Sequence, residues 1–315
     1  MIKKIRIKPL EPLMLRGQGE FEPLVTGSHV SAQSLIIPRP STIAGLLGYL
    51  KFTGSYYGDW LETLHSLNVK IYGTLIEEGN GNTFYPLRMG NLFALVDWET
   101  LSSLSKTLEK ITGSDYDKWE KEIYDIFYEK NKFFELVNFQ DRIGISLDRQ
   151  RKVVEEHYLY TARYLSFKKE ISYIVFVDGD LGLKERIVNF GGEGRIAKLE
   201  VEDSNSVFNK NSSNYYLALS PILIPDDAID ILLEEDLIVM GKVDKVSLGF
   251  DIAHNRRKEM LTAVLEGSII KGEFVNRYKE VVKNRSLFEK YEEIGYNTIC
   301  GISSQNNVRK ILLDS

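Results

Sequence analysis

The chain has 315 residues, 43% hydrophobic and 27% charged, with a formal net charge of −5 at pH 7. That length suits two ordinary domains or one large one, and the mildly acidic balance argues against indiscriminate nucleic-acid binding. A single cysteine, Cys300, excludes an internal disulfide and any cysteine-cluster metal site. No apolar run is long enough to span a bilayer, and Met1–Lys8 has no signal-peptide pattern, so the chain reads as cytoplasmic.

Ile2–Lys8 alternates Ile with Lys or Arg at period two, the pattern of a half-buried strand. Residues 9–37 form a long connection punctuated by proline and glycine and holding Arg16 and His29; loops of this length are usually functional or disordered. Pro38 and Pro40 stiffen an extended approach, Ser41 reads as the N-cap of a short apolar helix running to Lys51, and Gly45 and Gly48 suggest close packing. The free N–H groups at that helix start, with Arg39 beside them, suit an anion; the same residues also make a capped core helix that binds nothing. A second short helix follows at 56–66. Asn68–Glu77 reads as a strand with Val69, Ile71 and Leu75 on one side, Gly79–Asn82 as a turn, and Thr83–Leu95 as the returning strand. Strand, helix, strand, strand is the front half of a βαββαβ unit.

Residues 99–130 read as an acidic helical insertion, with Ser114 a cap after Gly113 and Trp119, Ile123, Ile126 and Phe127 as core positions. Arg142–Arg149 and Tyr158–Phe167 alternate as the arms of a long hairpin with a basic tip, and Ile171–Val177 is an apolar strand. Asn189–Arg195 is a glycine-rich loop in which backbone can approach a ligand and Arg195 supplies charge. Ser204–Asn214 is a polar connector. Tyr215–Ile224, Lys242–Phe250 and Gly267–Phe274 read as strands, Asp226–Asp236 and Ser286–Ile294 as helices, and Ala253–Lys258 as a compact basic loop. Tyr296–Ser303 closes a second strand-and-helix alternation.

Charge is segregated along the chain. Residues 1–51 and 142–169 each carry seven Lys or Arg against three Asp or Glu; residues 97–125 carry four against eight, and 225–236 carry six acids and no base. A polyanion-binding face is therefore compatible with the acidic total. There is no Walker A motif, Rossmann fingerprint or zinc-binding His-Glu-x-x-His, and His29, His65, His157 and His254 are far apart. The sequence thus suggests no metal, no cofactor and no assembled catalytic group. His29 and His254, both in basic loops, are the candidates for acid–base work on RNA, although no spacing joins them.

Four ordered stretches resemble a known family: Pro9–Leu13 with Arg16-Gly17 and Pro40–Gly45; Gly144–Arg149 running to Leu159–Thr161 and Tyr164-Leu165; Gly191–Arg195; and Leu248–Ala253 with Ala263-Val264 and Gly267-Ser268. Together they are similar to the RAMP superfamily of CRISPR proteins and, within it, to the third Cmr subunit of the type III-B effector complex. The resemblance does not extend to residues 99–135, and the chain departs from the family pattern at Glu266 and in lacking a proline near Val264. It implies an α+β fold of two ferredoxin-like (RRM-like) βαββαβ units with helical and hairpin insertions. The expected division is residues 1–140, with the helical insertion at about 99–135, and residues 141–315, with the basic hairpin. It implies a non-catalytic subunit that holds the 5′ handle of the CRISPR RNA and pairs with the large polymerase-like Cmr subunit and neighbouring backbone subunits. Single-stranded RNA is held by phosphate contacts, stacking and edge hydrogen bonds. The expected RNA contacts are Arg16, His29, Arg39, Ser41, Thr42, Arg149, Arg151, Arg163, Gly192, Arg195, His254, Asn255, Arg256 and Arg257. The alternatives are a metal-independent repeat-RNA endoribonuclease of the same superfamily and a pure protein-interaction subunit.

Overall fold

The computed structural model of the chain describes residues 2–17, 31–51, 60–110, 116–148, 153–204, 213–234, 237–251 and 256–302. The first part comprises β1 (Ile2–Pro9), β2 (Ser31–Gln33), α1 (Pro40–Lys51), α2 (Trp60–Ser66), β3 (Lys70–Glu78), β4 (Thr83–Met89) and β5 (Leu92–Val96). Next come α3 (Trp98–Lys110), α4 (Tyr116–Tyr124) ending in a π turn at Asp125–Glu129, α5 (Phe133–Leu136), β6 (Val137–Asp148), β7 (Val153–Phe167), β8 (Ile171–Asp178), β9 (Arg186–Asn189) and β10 (Ile196–Ser204). The last part contains β11 (Tyr215–Ala218), β12 (Ile222–Ile224), a 3-10 segment at Asp226–Leu232, β13 (Ile238–Met240), β14 (Val243–Ser247), β15 (Phe250–Asp251), β16 (Arg256–Arg257), β17 (Met260–Val264) and β18 (Ile269–Lys271). It closes with α6 (Gly272–Val282), α7 (Ser286–Glu293) and β19 (Ile299–Ile302). The fold is α+β.

The larger sheet has seven strands in the order β5-β4-β3-β8-β1-β10-β9. β8 pairs antiparallel with both β1 and β3, so those two run parallel to each other and are joined by the crossover carrying α1 and α2. β10 closes on the other side of β1. A helical crossover between parallel strands leaves a slot, and β8 fills it. The sheet therefore takes central strands from both sides of residue 140, where the chain was expected to divide. The smaller sheet, β13-β18-β11-β19, repeats the plan: β18 fills the slot between β11 and β13, and β19 pairs with the free edge of β11. β12, β17 and β14 form a separate three-stranded sheet. β6 and β7 make the expected long hairpin, with β2 parallel to β7.

Several local expectations are corrected. Leu75 does not share a side with Val69 and Ile71. A bulge between Tyr72 and Leu75, where Gly73 has φ +54°, inserts a residue and reverses the alternation. Val69 and Ile71 then join one core cluster, and Leu75 another beneath α3. Tyr215–Ile224 splits at Ser220-Pro221 into strands of different sheets, and Thr83–Leu95 folds back at Gly90 as β4 and β5. Gly267–Phe274 is only three residues of strand before α6 begins at Gly272. The acidic helix at 226–236 is a 3-10 segment whose Asp227 accepts both Nη groups of Arg285 at 2.8 and 3.0 Å. Ser41 is not the N-cap of α1. The amides of Thr42 and Ile43 both donate to the Arg39 carbonyl, so Pro40 takes the first helical position, where its missing N–H costs nothing. The Ser114 cap and the connector at 205–212 lie outside the described residues.

One cluster of buried groups ties the two sheets together. The Glu266 carboxylate accepts from Arg39 Nη1 at 2.6 Å and lies 3.3 Å from Arg88 Nη2, while Arg88 Nε donates to the Glu266 carbonyl at 3.2 Å. The three side chains are 12%, 16% and 6% exposed for Arg39, Arg88 and Glu266. The next residue is Gly267, at φ +88°, where a Cβ would lie 3.0 Å from the Arg88 nitrogen and the Leu87 carbonyl carbon. Its own carbonyl accepts from the Arg88 amide at 2.8 Å. Removing one partner of a buried pair strands the others, at a cost of about 3–5 kcal/mol. Glu266→Ala is therefore expected to lower the urea midpoint, with the extrapolated unfolding free energy falling by that amount, and Glu266→Leu to be no milder because both guanidiniums stay buried. An unchanged midpoint contradicts this assignment.

Candidate nucleic-acid interface

The glycine loop, the hairpin and the segment after β1 meet in one seam. Leu13 and Leu165 exchange backbone hydrogen bonds of 2.7 and 2.8 Å, which docks residues 11–16 on β7. Leu35 N–H then donates to the Leu15 carbonyl at 2.6 Å, and Arg16 bridges to Ser34. The Gly192 amide donates to the Met14 carbonyl at 2.7 Å. Gly191, at φ +87°, has no room for a side chain: a Cβ would lie 2.7 Å from that same carbonyl oxygen. The glycines here bring backbone against backbone, with Gly192 and Gly194 left exposed.

Arg195 closes the loop from inside. Its Nη1 donates to Glu11 Oε2 at 2.8 Å, and the Ile196 amide donates to Glu11 Oε1 at 2.9 Å. These two hydrogen bonds hold the Glu11 carboxyl below its ordinary value. The Arg195 guanidinium lies 4.6 Å from the centre of the Tyr164 ring, and that of Arg142 lies 4.8 Å from it. The Tyr164 hydroxyl donates to Glu193. Tyr164 is buried, packed with Met14 and Ala162.

The expected contacts separate by burial and partner. Arg39 and Arg195 are turned inward as ion pairs with Glu266 and Glu11, and act as struts. Arg163 lies on the opposite face of the hairpin from Tyr164 and makes an exposed two-pronged pair with Asp141 at 2.8 and 3.1 Å, the kind of pair that is weak and easily exchanged. Arg16 and Gly192 lie in the seam. Ser41 accepts from the Tyr296 hydroxyl at 3.4 Å and sits 3.7 Å from where a Cβ on Gly249 would lie, which brings the start of α1, with Thr42, to the base of the β15–β16 hairpin. Arg256 and Arg257 form β16 by backbone pairing. His29, Arg149, Arg151, His254 and Asn255 lie outside the described residues. Reasoning from sequence missed Glu266, Arg88, Glu11 and Arg142 as parts of these sites. Glu266 had a signal, as a charged residue directly before a tight glycine; Glu11 had none.

Among the described residues, no group of three His, Cys, Asp or Glu is placed to hold a metal ion, and no helix is long and apolar enough to cross a membrane.

The family model described as CRISPR-associated protein (Cas_Cmr3) matches residues 97–219, a range that takes in all of the 99–135 stretch left outside the resemblance drawn from sequence. The CRISPR system CMR subunit Cmr3 of Saccharolobus solfataricus is 57% identical over 310 residues, covering 96% of this chain and 97% of that protein. A chain in the cryo-EM structure of the Type III-B Cmr-beta bound to cognate target RNA is similar with a TM-score of 0.85 and 57% identity, covering 95% of this chain and 96% of its own. One in the complex with cognate target RNA and AMPPnP gives 0.84 and 54%, over 95% and 98%. The chain belongs to the Cmr3 family of type III-B CRISPR systems.

The depressed Glu11 carboxyl sets a pH dependence. Its stabilising contact is present above the unfolded value, about 4.3, and is lost as pH falls through the lower folded value. The difference in thermal midpoint between wild type and Glu11→Gln is expected to be full at neutral pH and to shrink below pH 4. A difference that is flat down to pH 2 contradicts this.

Proposed function

We propose that this chain is the non-catalytic RNA-binding subunit of a type III-B Cmr effector complex. In this reading it holds the 5′ handle of the CRISPR RNA and docks the large polymerase-like subunit and the neighbouring backbone subunits. The observation that carries the reading is the similarity, along nearly the whole chain, to a chain of Cmr-beta bound to cognate target RNA. The strand orders of both sheets, with a slot strand between two parallel strands, support a pair of ferredoxin-like units. The first extends to β10 and the second begins at β11.

Charge supports a particular RNA path. On the larger sheet, Lys4 and Arg6 are both held by Glu77 at 2.5 and 2.7 Å, so that face has its charge already paired. The seam and the basic hairpins are the better candidates. Arg16, His29, Arg149, Arg151, Arg163, Gly192, His254, Asn255, Arg256 and Arg257 are the proposed contacts, with Ser41 and Thr42 beside the second group. Arg39 and Arg195 position them. Phosphate contacts of this kind position RNA more than they specify its sequence.

The test is incubation of purified protein with labelled repeat-spacer RNA, with and without EDTA, alone and with the large subunit. The expected result is uncut RNA, retained in a handle-dependent way that strengthens with the partner and weakens steeply as salt rises. A cut that survives EDTA and is lost in His29→Ala or His254→Ala makes the protein a processing endoribonuclease. Tight pairing with the large subunit and no RNA retention makes it an interaction subunit alone.

A further inference from the structure

We infer that Arg142 is a base-stacking platform for one nucleotide of single-stranded RNA, an assignment that rests on the proposed handle-binding role. Three arginines surround the β6–β7 arms and the glycine loop, and their states differ. Arg195 is 17% exposed and clamped by Glu11; Arg163 is exposed but paired with Asp141. Arg142 is exposed, lies over the Tyr164 ring and makes no ion pair among the described residues. It is the guanidinium whose outward face is open while its position is already held.

That position is well supported. The Tyr164 ring beneath Arg142 is buried, its hydroxyl is bound by Glu193, and the Arg195 guanidinium also lies against it. Arg142 pairs with Ala162 in the β6–β7 register, with Tyr164 the diagonal neighbour on the same face, so cross-strand geometry sets the contact. Little side-chain freedom remains to be lost when a ligand arrives.

The charge balance distinguishes base from phosphate. Arg142 and Arg195 carry two positive charges, and Glu11 and Glu193 two negative ones. Glu11 lies near enough to Arg142 that the guanidinium helps to hold its carboxyl down. Such a neutral cluster gives little attraction for a phosphate. The planar face of Arg142 remains a good surface for an unstacked base, since guanidinium planes stack on bases as aromatic rings do.

The experiment is a fluorescence-anisotropy titration of handle RNA against the full-length chain assembled with the large Cmr subunit. Arg142→Ala is expected to weaken binding about tenfold with the salt dependence unchanged. Arg142→Lys is expected to stay close to Arg142→Ala, because an ammonium keeps the charge but lacks the plane. Replacing one handle nucleotide by an abasic one is expected to abolish the difference between wild type and Arg142→Ala. The side chain is exposed, so the thermal midpoints of both variants should match wild type.

Wild-type affinity in Arg142→Ala overturns the proposal. So does a phosphate signature, in which Arg142→Lys restores binding and Arg142→Ala lowers the salt slope by about 0.7. A wild-type assembly indifferent to the handle removes the underlying reading as well.

Discussion

A carboxylate held between two guanidiniums in a nearly dry setting is the constraint on which the relation of the two sheets depends. Glu266 comes from the turn between β17 and β18, Arg39 from the start of α1, and Arg88 from β4. Burial pulls the Arg88 guanidinium below its ordinary value, and the like charge of Arg39 adds to that pull; Glu266 opposes both. Remove the carboxylate and two cations face each other without water. Gly267 extends the junction by permitting backbone contact with Arg88 where any side chain would collide. Charge and steric fit thus act on adjacent residues, and α1 is fixed by its first turn.

The same logic recurs at the glycine loop. Glu11 follows β1, Arg195 precedes β10, and both strands are central in the larger sheet, so their pairing is set by the sheet's own register. The pair locks the loop, the loop carries Glu193 to Tyr164, and Tyr164 supports the hairpin. The buried arginines at both junctions, Arg39 and Arg195, act as struts. The proposed RNA path is compatible with the acidic total, because positive charge is neutralised where it builds the fold while Arg142 on the hairpin makes no ion pair among the described residues.

Much of the fold was legible where local pattern decides structure. Period-two alternation located β1 and the β6–β7 hairpin, an apolar run located β8, and the glycine run located the loop. The failures have nonlocal causes. Leu75 changed sides because of a bulge beside Gly73, and periodicity cannot register an inserted residue. Residues 215–224 form one apolar run, yet the chain breaks it at Ser220-Pro221 to serve two sheets. Arg39 and Arg195 looked like ligand-binding cations because their partners lie 227 and 184 residues away. Arg142 went unnoticed because its significance comes from a cross-strand tyrosine rather than from its neighbours in sequence.

The central claim is that RNA runs along the hairpin, the glycine loop and the β15–β16 loop, and avoids the ion-paired face of the larger sheet. Ultraviolet cross-linking of handle RNA to the assembled protein, with the attached peptides identified by mass spectrometry, tests it most directly. The account predicts cross-links in peptides spanning residues 142–163, 191–195 and 252–258. Cross-links concentrated instead on β1 and β3, around Lys4, Arg6 and Tyr72, would contradict it.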